Sequence, residues 1–176
     1  MAPIIPKRVC AEVEGELVLF LIGMRLNRPW KLHRWLPVLR AMPRMLRELE
    51  AQPELGLLHH RTHVGLREAM VVQYWRSHAQ LDAYATARER AHLPAWRAFN
   101  QAIGTNGDVG IWHETYLVGS GRYESVYVNM PPFGLGRAGA LQEATGPRAT
   151  GRGRLAATAG AEGGGPMAGA PQGGTV

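Results

Sequence analysis

The run from Glu16 to Arg25, ELVLFLIGMR, constrains this chain more than any other stretch. Leu17 to Met24 is apolar at every position, so an extended backbone here has no polar side to offer to water. A strand of that kind belongs inside a sheet that is covered on both faces. It is about eight residues long, far short of the roughly 20 that a membrane-crossing helix needs. Asn27-Arg28-Pro29 then closes it with turn chemistry. With no signal-peptide pattern before it, the chain is expected to be soluble and cytoplasmic, with no membrane partner.

Downstream the hydrophobic period changes repeatedly. Between Arg34 and Glu50, Leu36, Leu39, Met42, Leu46 and Leu49 recur every three or four positions, which predicts an amphipathic helix. Pro37 fits only its first turn and Pro43 should kink it. Leu57–Val64 and Ala69–Trp75 read as two strands joined near Gly65. Ser77 is placed to cap a second helix bearing Leu81, Tyr84, Arg88 and His92 on one face. Pro94 should interrupt that helix and restart it with Trp96, Phe99 and Ile103. From Asp108 to Val118 the residues alternate, with Val109, Ile111, His113, Thr115 and Leu117 on one side and Trp112, Glu114 and Tyr116 on the other. A further strand, Tyr123–Asn129, is expected to fold back on it across Gly119-Ser120-Gly121.

The ends read differently. Residues 1–15 form a polar N-terminal arm holding Cys10, which as the sole cysteine can make no intramolecular disulfide. Residues 16–133 form one domain, and residues 134–176, rich in Gly, Ala and Pro, are expected to be a disordered tail, since they bury too little to offset ordering entropy. The formal charge of +6 comes from scattered arginines without a basic run, so a nucleic-acid partner is not expected.

The order βαββαβ is the ferredoxin-like α+β pattern, an antiparallel sheet with both helices on one side. Phe20, Ile22, Trp112 and Tyr116 cannot all point into one layer, so the second face also needs cover. A homodimer pairing sheet against sheet would supply it.

FLIGMRLNRPWKLHRWLPVLRAMPRML, VVQYWRSHAQLDAYA, AHLPAWRAFN, GIWHETY and YESVYVNMPPFGL resemble the successive blocks of a monooxygenase-like family of bacteria and fungi. That family is similar to the antibiotic-biosynthesis monooxygenases, the dimeric α+β-barrel superfamily, and includes a fungal polyketide-pathway oxygenase. The resemblance runs from about Leu17 to Leu135. It implies a dimer of ferredoxin-like subunits with a pocket between sheet and helices, used elsewhere for cofactor-independent oxygenation, haem degradation or dehydration.

Within that frame His92 is the expected base, because a neutral imidazole in a partly apolar setting can take a substrate proton. Tyr84 and Asn129 are its expected hydrogen-bonding partners. Trp75, Trp96 and Trp112 are candidate walls for a flat substrate, and Tyr74 a phenolic contact. Arg25 and its neighbours Arg28, Lys31, His33 and Arg34 could hold an anionic or quinone-type oxygen near the pocket mouth. In haem-degrading members of the superfamily a histidine of the second helix holds iron, with help from an asparagine of the first strand and a tryptophan. His92, Asn27 and Tyr84 stand nearest to those places, so haem is the alternative to a reaction without cofactor. His59, His60 and His63 offer two ligands on one strand face, too few for a metal site. His113 and Glu114, as strand neighbours, point apart. No Gly-rich phosphate loop supports flavin or nicotinamide. The reading is a cofactor-independent monooxygenase taking a small apolar or aromatic substrate and O2, with a non-catalytic ligand-binding dimer as the alternative.

Overall fold

The computed structural model describes residues 2–87 and 106–159. The strand built on ELVLFLIGMR is β2 (Leu17–Leu26), which follows an N-terminal strand β1 (Ile5–Glu12). Then come α1 (Leu32–Ala51), β3 (Leu57–Val64), β4 (Glu68–Trp75), α2 (His78–Thr86) and β5 (Val109–Val118). β2 to β5 form one four-stranded sheet in the order β3-β4-β2-β5, antiparallel throughout. This is the ferredoxin-like arrangement, with the all-apolar β2 in an interior position.

Residues that pair across the strands share a face, and the register therefore sorts the whole sheet. Val18, Phe20, Ile22 and Met24 of β2 lie on the helix side with Val71, Gln73 and Trp75 of β4 and Ile111, His113 and Thr115 of β5. There Val18, Leu49, Trp75, Leu81 and Tyr84 make a buried core under α1 and α2. Ser77 caps α2 by accepting a hydrogen bond from the Gln80 amide at 3.2 Å, as its position before the apolar run predicts. Arg88, His92, Pro94, Trp96, Phe99 and Ile103 lie outside the described residues.

The opposite face is partly covered by the chain itself, and here the sequence expectation needs correcting. The arm expected to be polar is β1, in which Val9, Cys10 and Ala11 are buried. β1 lies between β6 (Tyr127–Met130) and β7 (Ala140–Glu143) in a second antiparallel sheet. The segment around Tyr123 therefore leaves β5 instead of forming a hairpin with it. The Tyr123 hydroxyl accepts from the Val13 amide at 2.7 Å, and the Ser125 hydroxyl accepts from the Ala11 amide at 2.9 Å, which ties this stretch to β1.

The expected disorder from Gly134 onward is also overturned as far as Ala159. A short helix α3 (Leu135–Ala138), β7 and a helix α4 (Gly151–Ala159) follow one another. They are held by polar side chains where apolar ones are scarce. Arg148 pairs with Glu12 at 2.5 Å, and Arg154, only 6% exposed, pairs with Glu124 at 2.6 Å while donating to the Arg148 and Ala149 carbonyls. Residues 160–176 lie outside the described residues. Ala11, Val13 and Leu135 pack against Leu17, Leu19, Leu58 and Tyr74, closing one end of the second face.

Candidate functional site

α1 is buried unevenly along its length. Leu46 and Leu49 near its C-terminal end are buried, whereas Val38 and Met42 are half-buried and Leu39 is exposed. The helix begins at Leu32, earlier than its hydrophobic period predicts, so both Pro37 and Pro43 sit inside it and neither ends it. Each lacks an N–H, which leaves the carbonyls of His33 and Leu39 without their helical donors. Under the less buried half is a pocket of about 120 Å³, lined by Ile22, Met24, Val38, Leu39, Met42, Pro43, Leu46, Thr62, Val71 and Ile111, together with Gly23 and Ala69. That volume is close to the roughly 150 Å³ apolar cavity known to take benzene, so it suits one ring or a short aliphatic limb.

The lining is almost wholly aliphatic, with Thr62 as its polar side chain among the described residues. His113 lies on the same sheet face, directly across from Ile22 in the register, with its ring 5.7 Å from that of Phe20. The alternation of β5 is legible in the sequence, where His113 has Glu114 as its neighbour, but its facing residue is Ile22 of β2. That cross-strand neighbour is the signal that would have found it.

At the N-terminal end of α1 the pocket meets charge. Met24 and Val109 are buried there with Trp35, Val38 and Ala69 around them, and the next residue back from Val109 is Asp108. The Asp108 side chain is 2% exposed and is gripped by three cations: Arg28 at 2.8 Å, Lys31 at 2.9 Å and Arg34 at 4.0 Å. The hydrogen bond from Lys31, assisted by the charge of Arg28, holds the Asp108 carboxyl below its ordinary pKa against the opposing effect of burial.

Few of the residues picked from the sequence come near this pocket. Trp75 is buried in the core, its ring 6.0 Å from Tyr84 and its Nε1 donating to Gln73 at 2.8 Å. Tyr84 donates to Glu48 at 2.9 Å. Tyr74 and Trp112 lie on the opposite face of the sheet, where the Trp112 indole covers Gly23. Arg25 is exposed and paired with Glu68 at 2.6 Å, and the Asn27 amide donates to the Gly107 carbonyl at 3.1 Å. Asn129 is exposed on β6, with a φ of +53°. Its short polar side chain makes that left-handed backbone tolerable. Trp96, like His92, lies outside the described residues.

On the face opposite the helices a second polar group collects. His59 stacks on Tyr74 with ring centroids 6.4 Å apart and planes 9° apart. Burial, with the nearby charges of Arg137 and Arg61, pushes its pKa down to about 4, so the imidazole is neutral at ordinary pH. Tyr127 accepts from the Gly136 amide at 3.2 Å, and Arg61 covers the Phe133 ring at 3.9 Å. His60 turns the other way and meets Glu50 at 2.9 Å. Among the described residues no group of three or more His, Cys, Asp or Glu side chains is placed to hold a metal ion. Haem would need an axial donor; among the described lining residues the thioethers of Met24 and Met42 are of that kind, and His92 lies outside the described residues.

The pocket walls fall within residues 17–135, which match the model of the "Monooxygenase af470-like" family. The chain belongs to that family. Monooxygenase af470 of Aspergillus fumigatus is 32% identical to it over 139 residues, covering 70% of this chain and 46% of the relative. The chain thus spans about half the length of the curated relative it matches. Among solved structures, aldoxime dehydratase superposes with a TM-score of 0.59 at 17% identity, covering 77% of this chain and 44% of that one. SnoaB, a cofactor-independent oxygenase from Streptomyces nogalater, gives a TM-score of 0.42 at 13% identity, over 57% of this chain and 91% of that one. The family match starts at the first residue of β2 and ends at Leu135, so β1, β7 and α4 lie outside it. No helix among the described residues is long and apolar enough to cross a membrane.

Proposed function

We propose that this member of the family is a monooxygenase that works without a bound cofactor on a small apolar or aromatic substrate of polyketide type. The aliphatic pocket beneath α1 carries the reading, because its apolar walls can keep a reacting carbon from water. A base removes a proton from an activated methylene, and the resulting carbanion adds O2 to give a hydroperoxide. Loss of water from that species leaves a carbonyl, so one oxygen atom enters the product, the other leaves as water, and the methylene carbon supplies all four electrons. His113 stands beside the Ile22 wall as a proton acceptor, and His92 is the second candidate for that role. The half-open face carrying Trp112 and Tyr116 supports pairing of two copies, since exposed rings of that size favour cover.

A binding module is the second reading, favoured by the lack of any ionisable side chain among the described lining residues. Oxygen uptake by the purified chain with a panel of small aromatic and diketone substrates that carry an activated methylene separates the two. Uptake that falls at least tenfold in His113→Ala or His92→Ala is expected from a base. No uptake with any substrate would leave the binding module.

A further inference from the structure

We infer that the sheet face opposite α1 carries a proton-transfer site, in which His59 takes a proton from the carbon beside a carbonyl group and the Tyr74 and Tyr127 hydroxyls hold the oxygen as an enolate. The substrate class is a small, flat, enolisable ketone. This activity is separate from the oxygenase reading, because the pocket beneath α1 takes no part in it.

His59 reaches that face through a break in strand pairing. Leu57 pairs with Trp75 and His59 with Tyr74, so β3 advances two residues while β4 advances one, and Leu58 is the extra residue of a bulge. In an unbroken ladder Leu58 would stand across from Tyr74, and His59 would face the helices with Gln73. The bulge instead sets the imidazole parallel to the Tyr74 ring. His59 forms no hydrogen bond among the described residues, and as a neutral ring it has a nitrogen lone pair ready for a proton.

The two phenols come from different sheets and converge beside Gly134. A Cβ at Gly134 would stand 3.2 Å from the Tyr74 hydroxyl and 3.9 Å from that of Tyr127. The φ of Gly134 is +53°, which favours glycine and lets the chain pass close to both rings. The Tyr127 hydroxyl accepts from the Gly136 amide, while burial, with Tyr127 nearby, raises the Tyr74 pKa against the effect of the Leu135 backbone. Phenols carry their protons at neutral pH, and neither of these donates to an acceptor among the described residues. Leu19, Leu58 and Leu135 pack around the two rings, and apolar surroundings of this kind strengthen a hydrogen bond to developing charge.

These parts match the needs of enolisation. The electron pair of the C–H bond becomes the new C=C π bond, the carbonyl π pair moves to oxygen, and the proton rests on His59 until it returns to carbon. Nothing is oxidised or reduced. Arg137, exposed and in no ion pair among the described residues, is near enough to favour the neutral form of His59, and its charge favours the enolate as well. A weak base backed by a phenolic donor suffices for such transfers.

Exchange of the α-protons of β-tetralone in heavy water, followed by proton NMR with the full chain, tests the site. The chain should speed exchange by about tenfold or more over buffer holding the same concentration of free imidazole. His59→Gln should return the rate to that of the control, and Tyr74→Phe, which keeps its ring, should lower it by about tenfold, with the unfolding midpoint as the check that each variant folds. No acceleration by the parent chain, or a parental rate in His59→Gln or Tyr74→Phe, would overturn the inference. So would a loss in His113→Ala or His92→Ala that matches the loss in His59→Gln, since the proton transfer would then belong to the helix side. Proton exchange without oxygen uptake by any substrate would keep this site and sink the oxygenase, whereas uptake without exchange would do the reverse.

Discussion

The two faces of the four-stranded sheet are made from the same strands and end in opposite chemistry. Beneath α1, aliphatic side chains of modest size, Ile22, Met24, Ala69 and Val71, leave a hollow. On the other face the large rings Tyr74, Trp112 and Tyr116 lie over the strands, and β1 with the segment after β5 covers one end. The difference teaches that aromatic residues are a poor guide to where a cavity lies. Rings fill space efficiently, as Trp112 does over Gly23, whereas small aliphatic residues beneath the less buried half of α1 leave it open.

Paired tryptophan substitutions give the largest test of this contrast. Trp75→Ala should cost about 3–5 kcal/mol, because the ring is fully enclosed in the helix-side core. Trp112→Ala, at a site 37% exposed, should cost about 1 kcal/mol or less in the isolated chain. Denaturant unfolding would measure both. Similar costs would mean that the second face is as closed as the first, for example through a tightly paired second copy.

Acid should loosen the two regions one after the other. His59 takes a proton at about pH 6.5 in the unfolded chain and only at about 4 when folded. The unfolded state therefore binds more protons within that window, and stability falls as pH drops through it. Because the ring is partly exposed, the loss should be on the order of 1 kcal/mol, and His59→Phe should remove the slope. At the pocket end the sign is that of a paired carboxylate. The Asp108 pKa is held below its ordinary 3.8, so its contribution is present above that pH and is lost as pH falls through the lower folded value. Asp108→Asn should destabilise the chain at neutral pH and flatten the acid limb of its stability curve below about pH 4.

The smallest effect is expected at Gly23. A Cβ there would stand 2.6 Å from the Trp112 ring, but that ring is half-exposed and able to shift. Gly23→Ala should cost about 1 kcal/mol or less and alter tryptophan fluorescence. A large loss of stability would show that the ring cannot shift and that the second face is packed tightly over the strand.

Much of this architecture is local and was legible in the residues. An apolar run must be buried, a period of two makes a strand, and Ser77 before an apolar turn makes a cap, since each follows from neighbours in sequence. β1 and the ordered stretch from Leu135 to Ala159 were missed for the opposite reason. Their elements are short and poor in apolar residues, and they gain order from partners more than 100 residues away, such as Tyr123 with Val13 or Arg148 with Glu12. The site divides along the same line. The basic cluster after β2 could be read from the chain, and so could the apolar stripe of α1. Only the tertiary structure decided that Arg28, Lys31 and Arg34 meet on Asp108, that His113 stands across from Ile22, and that the cavity is aliphatic. Periodicity tells which side of an element is apolar. How closely two such sides approach, and hence whether a space is left between them, depends on the summed volumes of side chains from separate elements.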